Sequence, residues 1–363
     1  MTPPHSPRAD ADIADTILAR VRDAAATVTP LRLRGGGTKD FYGQVVAGEV
    51  LDLSGHAGVV DYDAAELYLT ARCGTPLAAL EAMLAESGQM FAFEPPGFGA
   101  AATFGGIVAT GLSGPRRASA GALRDFVLGV RIVDGRGRDL AFGGQVMKNV
   151  AGYDVSRLMA GALGTLGIVL EATVKVVPVP PAEATLRLEM PEEKALEQLN
   201  RWGGKPLPIS ASAWKDGQLS LRLSGATAAV NEARAKIGGD TLAQDEAAGF
   251  WERIREHRDD FFARGDTLWR LSVPTTAAPL GLPGAQLIEW GGGLRWWLTH
   301  AEPDLVRQRA IAAGGHATLF RGGDKSLGVF QPLAAPVMRI HERLKAELDP
   351  LRILNRGRMY AAL

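Results

Sequence analysis

The glycine-punctuated stretch 94–178 limits most strongly what this chain can fold into. It holds Glu94-Pro95-Pro96-Gly97, then Thr103-Phe104-Gly105-Gly106 running on to Gly111, and then Gly161-x-x-Gly164-x-x-Gly167-Ile168. Glycine lacks Cβ, so it lets backbone amides come within hydrogen-bonding distance of a ligand and supplies positive φ where a loop curls around one. The stretch therefore reads as a wrapping for something anionic and flat. Its last glycines run directly into a β-rich segment, 168–177, which Pro178 and Pro180 end. That order separates it from the nicotinamide fingerprint, in which a strand feeds G-x-G-x-x-G at the start of a helix. The sequence also contains no G-x-x-x-x-G-K-[ST] phosphate loop.

At 363 residues, 46% of them hydrophobic, the chain is long enough to bury two cores. A formal net charge of zero argues against nucleic acid as a partner, because a polyanion is normally met by a basic surplus. Cys73 is the only cysteine, which excludes an internal disulfide and a thiolate-built zinc or iron–sulfur site within the chain. A small buried side chain is the expectation for it. Residues 1–10 are polar and proline-rich, and no later segment has ~18 uninterrupted apolar residues. The expectation is a cytoplasmic protein without a transmembrane segment, peripheral at the inner membrane only through partners.

In chain order, 11–26 carries Ile13, Ile17, Leu18 and Val21 at helical spacing. The alternating strand 31–34 leads into Gly35-Gly36-Gly37-Thr38, flanked by Arg34 and Lys39. This is either a flexible turn or a loop that presents N–H groups and cations to a phosphate. Strands are expected at 50–53, 58–62 and 66–71, and a helix at 76–87, capped by Thr75 and stopped by Gly88. Residues 103–110 form a helix with a small-residue face; 125–133 and 139–142 form a hairpin turning at 134–137. The polar loop 143–154 holds Lys148, Asn149, Tyr153 and Asp154.

Beyond Pro180 the composition changes. Strands are expected at 184–190, 210–223 (a hairpin turning at 215–218), 267–273, 287–290, 294–299 and 317–321. Helices are expected at 192–202, 226–237, 249–263 and 302–313, which suggests an antiparallel sheet covered by helices. Gly291-Gly292-Gly293 is a turn between strands, and Trp290, Trp296 and Trp297 pack a core or line a cavity. The charges of 252–260 mark a solvated helix face.

Taken together, Arg34-Gly35-Gly36-Gly37-Thr38, Pro95-Pro96-Gly97, Thr103-Phe104-Gly105-Gly106 and Gly161-x-x-Gly164-x-x-Gly167-Ile168 resemble, in order and spacing, the vanillyl-alcohol-oxidase or PCMH-type FAD-binding domain. The segments 144–154 and 355–360 resemble more narrowly the FAD-binding E subunits of bacterial glycolate oxidases. The resemblance implies an α+β fold: a two-lobed PCMH-type FAD-binding domain over 1–178, a small antiparallel-sheet cap domain with helices over 180–322, and a segment 323–363 that returns to the FAD domain. It implies that Gly35, Gly36, Gly37 and Thr38 hold the pyrophosphate, with Arg34 at the edge. Pro95, Pro96, Gly97, Thr103, Gly105 and Gly106, with Gly111 beyond them, would line the other side, and Gly161, Gly164, Gly167 and Ile168 would close over the cofactor. Asn355 is the candidate for the isoalloxazine edge. Covalent members carry His where Thr38 stands, so noncovalent FAD is expected. Arg356 replaces a usual Pro.

Related 2-hydroxy-acid dehydrogenases carry a His-x-His pair for a divalent metal, whereas His5, His56, His257, His300, His316 and His341 are scattered here. No metal is expected, and no catalytic residue is identified. Lys148 and Tyr153 are either a charge stabiliser and an acid or base, or a salt bridge to Asp154 and a cofactor contact. Three readings stay open. The first is an FAD-carrying subunit of a glycolate oxidase complex, beside a catalytic flavin subunit and an iron–sulfur subunit. The second is a self-sufficient flavin dehydrogenase of glycolate or D-lactate, a small-molecule 2-hydroxy acid. The third is an assembly subunit without flavin chemistry.

Overall fold

A computed structural model describes residues 11–144, 154–265 and 267–363. Its first helix, Ala14–Thr27, buries Ile17, Leu18 and Val21 on one face and ends where Val28 turns left-handed at φ 54°. That face packs on a short parallel pair, Leu31–Arg34 with Glu49–Asp52. The tail joins the same core: Leu31 bridges Leu354, and Ile353 and Leu354 are fully buried.

The second lobe is an antiparallel five-stranded sheet in the spatial order Val59–Asp63, Tyr68–Arg72, Ile168–Lys175, Val127–Val133, Asp139–Gly143. Its helices Leu77–Glu86, Phe104–Thr110 and Val155–Met159 contribute Leu80, Leu84, Ile107 and Met159 to one apolar core. Thr103 caps the second of them, its Oγ1 accepting from Gly106 N at 3.4 Å.

Three local expectations need correction. The N-cap of Leu77–Glu86 is Pro76, with no side-chain cap, because Thr75 Oγ1 donates to Arg72 O and bonds Gly58 instead. The charged helix stops at Arg255, and a turn separates it from the 3-10 turn Asp260–Ala263. The solvated face ascribed to 252–260 is only partly so, since Asp259 is buried and accepts from Lys215 Nζ at 2.7 Å.

Beyond residue 180 lies an eight-stranded antiparallel sheet. Its order is Asp240–Thr241, Ala182–Glu189, Gln218–Gly225, Ile209–Lys215, Ala285–Glu289, Leu294–Leu298, Leu268–Ser272, His316–Arg321. The helices Glu192–Gly203, Thr227–Ile237, Gln244–Arg255 and Pro303–Ala312 accompany it. Trp269 and Trp297, buried partners across two of its strands, pack with Leu271 and Leu319. The helix Ala335–Leu348 then leads into the tail. Among the described residues no helix is long and apolar enough to cross a membrane.

Candidate functional site

The strand end at Arg34, the helix start at Thr103 and the loop before Ile168 converge on one cavity of about 90 Å³. Of the residues singled out in the sequence, Arg34, Gly35, Thr103, Gly105, Gly106, Gly164, Gly167, Ile168 and Asn355 line it. Sequence reasoning missed its apolar wall, which includes Leu33, Leu53 and Met159. Ordinary core periodicity hides such residues.

Several glycines also make close approaches to neighbouring segments. A Cβ on Gly36 would stand 1.5 Å from Ala101 O, and one on Gly105 would stand 2.5 Å from the Cys73 Cβ. Gly111, at φ 61°, abuts the Gly161 backbone. Cys73 is buried as expected, and burial raises its thiol to about 12, so it is no nucleophile at neutral pH. Asn355 braces the cavity from the tail: its Oδ1 accepts from Leu33 N at 2.8 Å and its Nδ2 donates to Leu163 O at 2.7 Å. Arg34 pairs with Asp40 at 3.1 Å. Thr38 packs its methyl near Gly99.

Pro95, Pro96 and Gly97 form a turn that the second domain grips at both ends. Glu94 accepts from Arg116 N at 2.9 Å and pairs with Arg222 at 2.8 Å. Burial alone would raise this carboxyl, but the two guanidinium groups outweigh it and hold it low. At the other end Glu256 accepts from Gly97 N and Phe98 N.

Pro96 also borders a small second cavity, about 20 Å³, between the lobes. It brings together His257, Arg270, Glu289, Trp296 and Phe320. Glu289 accepts from Trp296 Nε1 at 2.7 Å, and burial is the main reason its carboxyl rises to about 7. His257 is pushed well below its ordinary range, chiefly by burial and further by Arg321 and Arg270. The Arg270 guanidinium lies 5.3 Å over the Trp290 ring. A cation beside an acid that titrates near neutrality can hold a small anion and exchange a proton with it. An arginine or glutamate inside an otherwise apolar strand was the sequence signal for this group. Lys148 and Tyr153 lie outside the described residues. Among the described residues no three His, Cys, Asp or Glu side chains converge as for a metal ion.

These residues fit FAD chemically: Gly35, Gly105 and Gly106 border the cavity without a side chain, and Leu33, Leu53 and Met159 give it an apolar floor. A family model described as an FAD binding domain matches residues 10–143. The glycolate oxidase subunit GlcE of Escherichia coli (strain K12) is 47% identical over 354 residues, 98% of this chain and 99% of that protein. The chain belongs to the GlcE family. The blocks 34–38, 95–97 and 103–106 fall within the matched residues, and 161–168 lies beyond them. A D-2-hydroxyglutarate dehydrogenase of Xanthomonas citri pv. viticola is 35% identical over 189 residues, 51% of this chain but 39% of that protein. An alkyldihydroxyacetonephosphate synthase structure superposes with a TM-score of 0.66 at 17% identity, over 94% of this chain and 75% of that one. That likeness shows the shared PCMH-type α+β fold. The GlcE-family chain described here is thus an FAD-dependent oxidoreductase by family.

Proposed function

We propose that this chain is the FAD-binding subunit of a glycolate oxidase complex that oxidises glycolate to glyoxylate. The near full-length identity with GlcE carries this reading. FAD is held noncovalently, with Thr38 in place of a linking side chain. Gly35 to Gly37 and Thr38 take the pyrophosphate, Thr103 to Gly106 with Pro95, Pro96 and Gly97 line its other side, and Gly161 to Ile168 close over it. Bound there, FAD supplies two-electron redox chemistry that protein side chains lack. Electrons leave through a partner iron–sulfur subunit, which a chain with one buried cysteine cannot replace. A catalytic flavin subunit works beside it, and attachment to the inner membrane runs through those partners. The functional division follows 1–178, 180–322 and 323–363, with Asn355 tying the last part to the flavin cavity.

A second reading, direct oxidation of a 2-hydroxy acid by this chain, has one observation in its favour. Arg270, Glu289 and His257 face a common void between the lobes, where an anion and its proton could be handled. Acid precipitation of the complex purified through a tag on this chain tests the first reading. Flavin in the supernatant, with a flavin subunit and an iron–sulfur subunit co-purifying, is the expected result. Flavin that stays with the pellet would contradict noncovalent binding, and a chain that purifies alone would contradict the complex.

A further inference from the structure

Two consecutive N–H groups in the glycine turn are held by a carboxylate from the other domain. Gly97 N donates to Glu256 Oε1 at 3.1 Å and Phe98 N to Oε2 at 2.7 Å. The Glu256 side chain is only 8% exposed, and Arg255 Nε donates to it at 3.0 Å. Adjacent backbone N–H groups at a turn form a seat for an anionic oxygen, and a carboxylate is the protein's own version of one. A cation stands by the same turn: Lys39 Nζ donates to Gly97 O at 3.0 Å. Burial brings this ammonium down to about 8, while the charge of Glu256 works the other way.

The next residue is held under strain. His257 has φ 52°, a conformation costly for any residue with a Cβ, and its buried Nδ1 has no hydrogen-bond partner. Its ring is pressed flat on Phe262, 3.9 Å between centroids, and edges Trp296. Contacts, rather than local preference, keep 256–257 in place. The cavity at this corner, about 560 Å³, is lined by Gly97, Phe98, Glu256, His257 and Arg321, so the turn and the carboxylate that holds it border a space large enough for a ligand group.

We infer that the Gly97–Phe98 N–H pair is a seat for an anionic oxygen of the flavin cofactor, and that Glu256 is the chain's own competitor for it, displaced when the cofactor binds. This rests on the flavin reading above. Glu94 stays clasped by Arg222 and Arg116, so the turn keeps one attachment to the second domain while the other is exchanged. By linkage, anything that draws Glu256 away tightens flavin binding, and bound flavin frees the Glu256–His257 corner.

FAD titration of the flavin-free chain, followed by quenching of tryptophan fluorescence, tests this on wild type, Glu256→Gln and Glu256→Asp. The amide cannot accept from both N–H groups, and the shorter acid cannot span them. Both variants should bind FAD about tenfold more tightly than wild type, and both should melt at a lower temperature without FAD. Folded variants that bind FAD equally or more weakly would overturn the competitor. Variants that bind where wild type does not would support it in its extreme form. Failure of all three to bind would overturn the flavin reading together with it.

Discussion

Glu289 shows what one residue does in this interface. Its carboxylate lies at the end of the strand Ala285–Glu289, 4% exposed, with the Trp296 indole as donor. Burial raises its carboxyl from 4.5 to about 7, so the folded chain holds a proton that the unfolded chain has already lost. The resulting stability is fully present below pH 4.5 and disappears as pH rises toward 7, on the order of 3 kcal/mol at most. Glu289→Gln keeps an acceptor for Trp296 but no longer titrates. Thermal melts across pH 4.5–7 should therefore show the variant gaining on wild type as pH rises; a constant gap would contradict the assignment. The glycines were legible from sequence as positions that need glycine, but their cause was not. Gly36 presses on the Ala101 backbone, while Gly35 and Gly164 border the cavity, and the same letter serves both. Glu289 and Arg270 carried a signal as polar residues in apolar strands, but their meeting was not legible, because the order of strands in the sheet brings them together.

Among the elements, the helix Ala335–Leu348 matters most for the cavity, and the sequence reading did not find it. Leu344 and Leu348 pack on the main core, but Val337 and Ile340 are exposed and the fully buried side chain is Lys345, so its apolar residues point to no single inner face. Lys345 Nζ donates to Thr165 O and Asp349 Oδ2, each at 2.7 Å, and to Leu354 O at 2.9 Å. Asp349 in turn accepts from Ile353 N and Leu354 N. This fully buried pair ties the helix, the tail and the loop before Ile168 into one unit. Lys345→Met leaves the carboxylate buried without its cation and should cost about 3 kcal/mol or more. Urea unfolding measures it, and a loss within about 0.5 kcal/mol would show the pair to be incidental. The elements with clear periods, such as Leu31–Arg34, Phe104–Thr110 and His316–Arg321, were legible because burial alone decides them. The parallel pairing of Leu31–Arg34 with Glu49–Asp52 was not, since strand partners are chosen by the whole fold.

For the whole molecule, the flavin lobes and the second domain are joined at the 94–98 turn, where Arg222 and Glu256 grip opposite ends. Here the fold class and the FAD-binding domain were legible in the sequence from the order and spacing of four motifs. The interface void was not, because it is assembled from both domains. The most direct measurement is an absorption spectrum of the chain purified alone, followed by anaerobic addition of glycolate and then of the partner subunits. The account predicts a flavin spectrum that glycolate leaves unchanged until the partners are present, when it bleaches. A chain without a flavin spectrum would contradict the central claim, and bleaching of the isolated chain by glycolate would place the oxidation at the Arg270–Glu289 void instead.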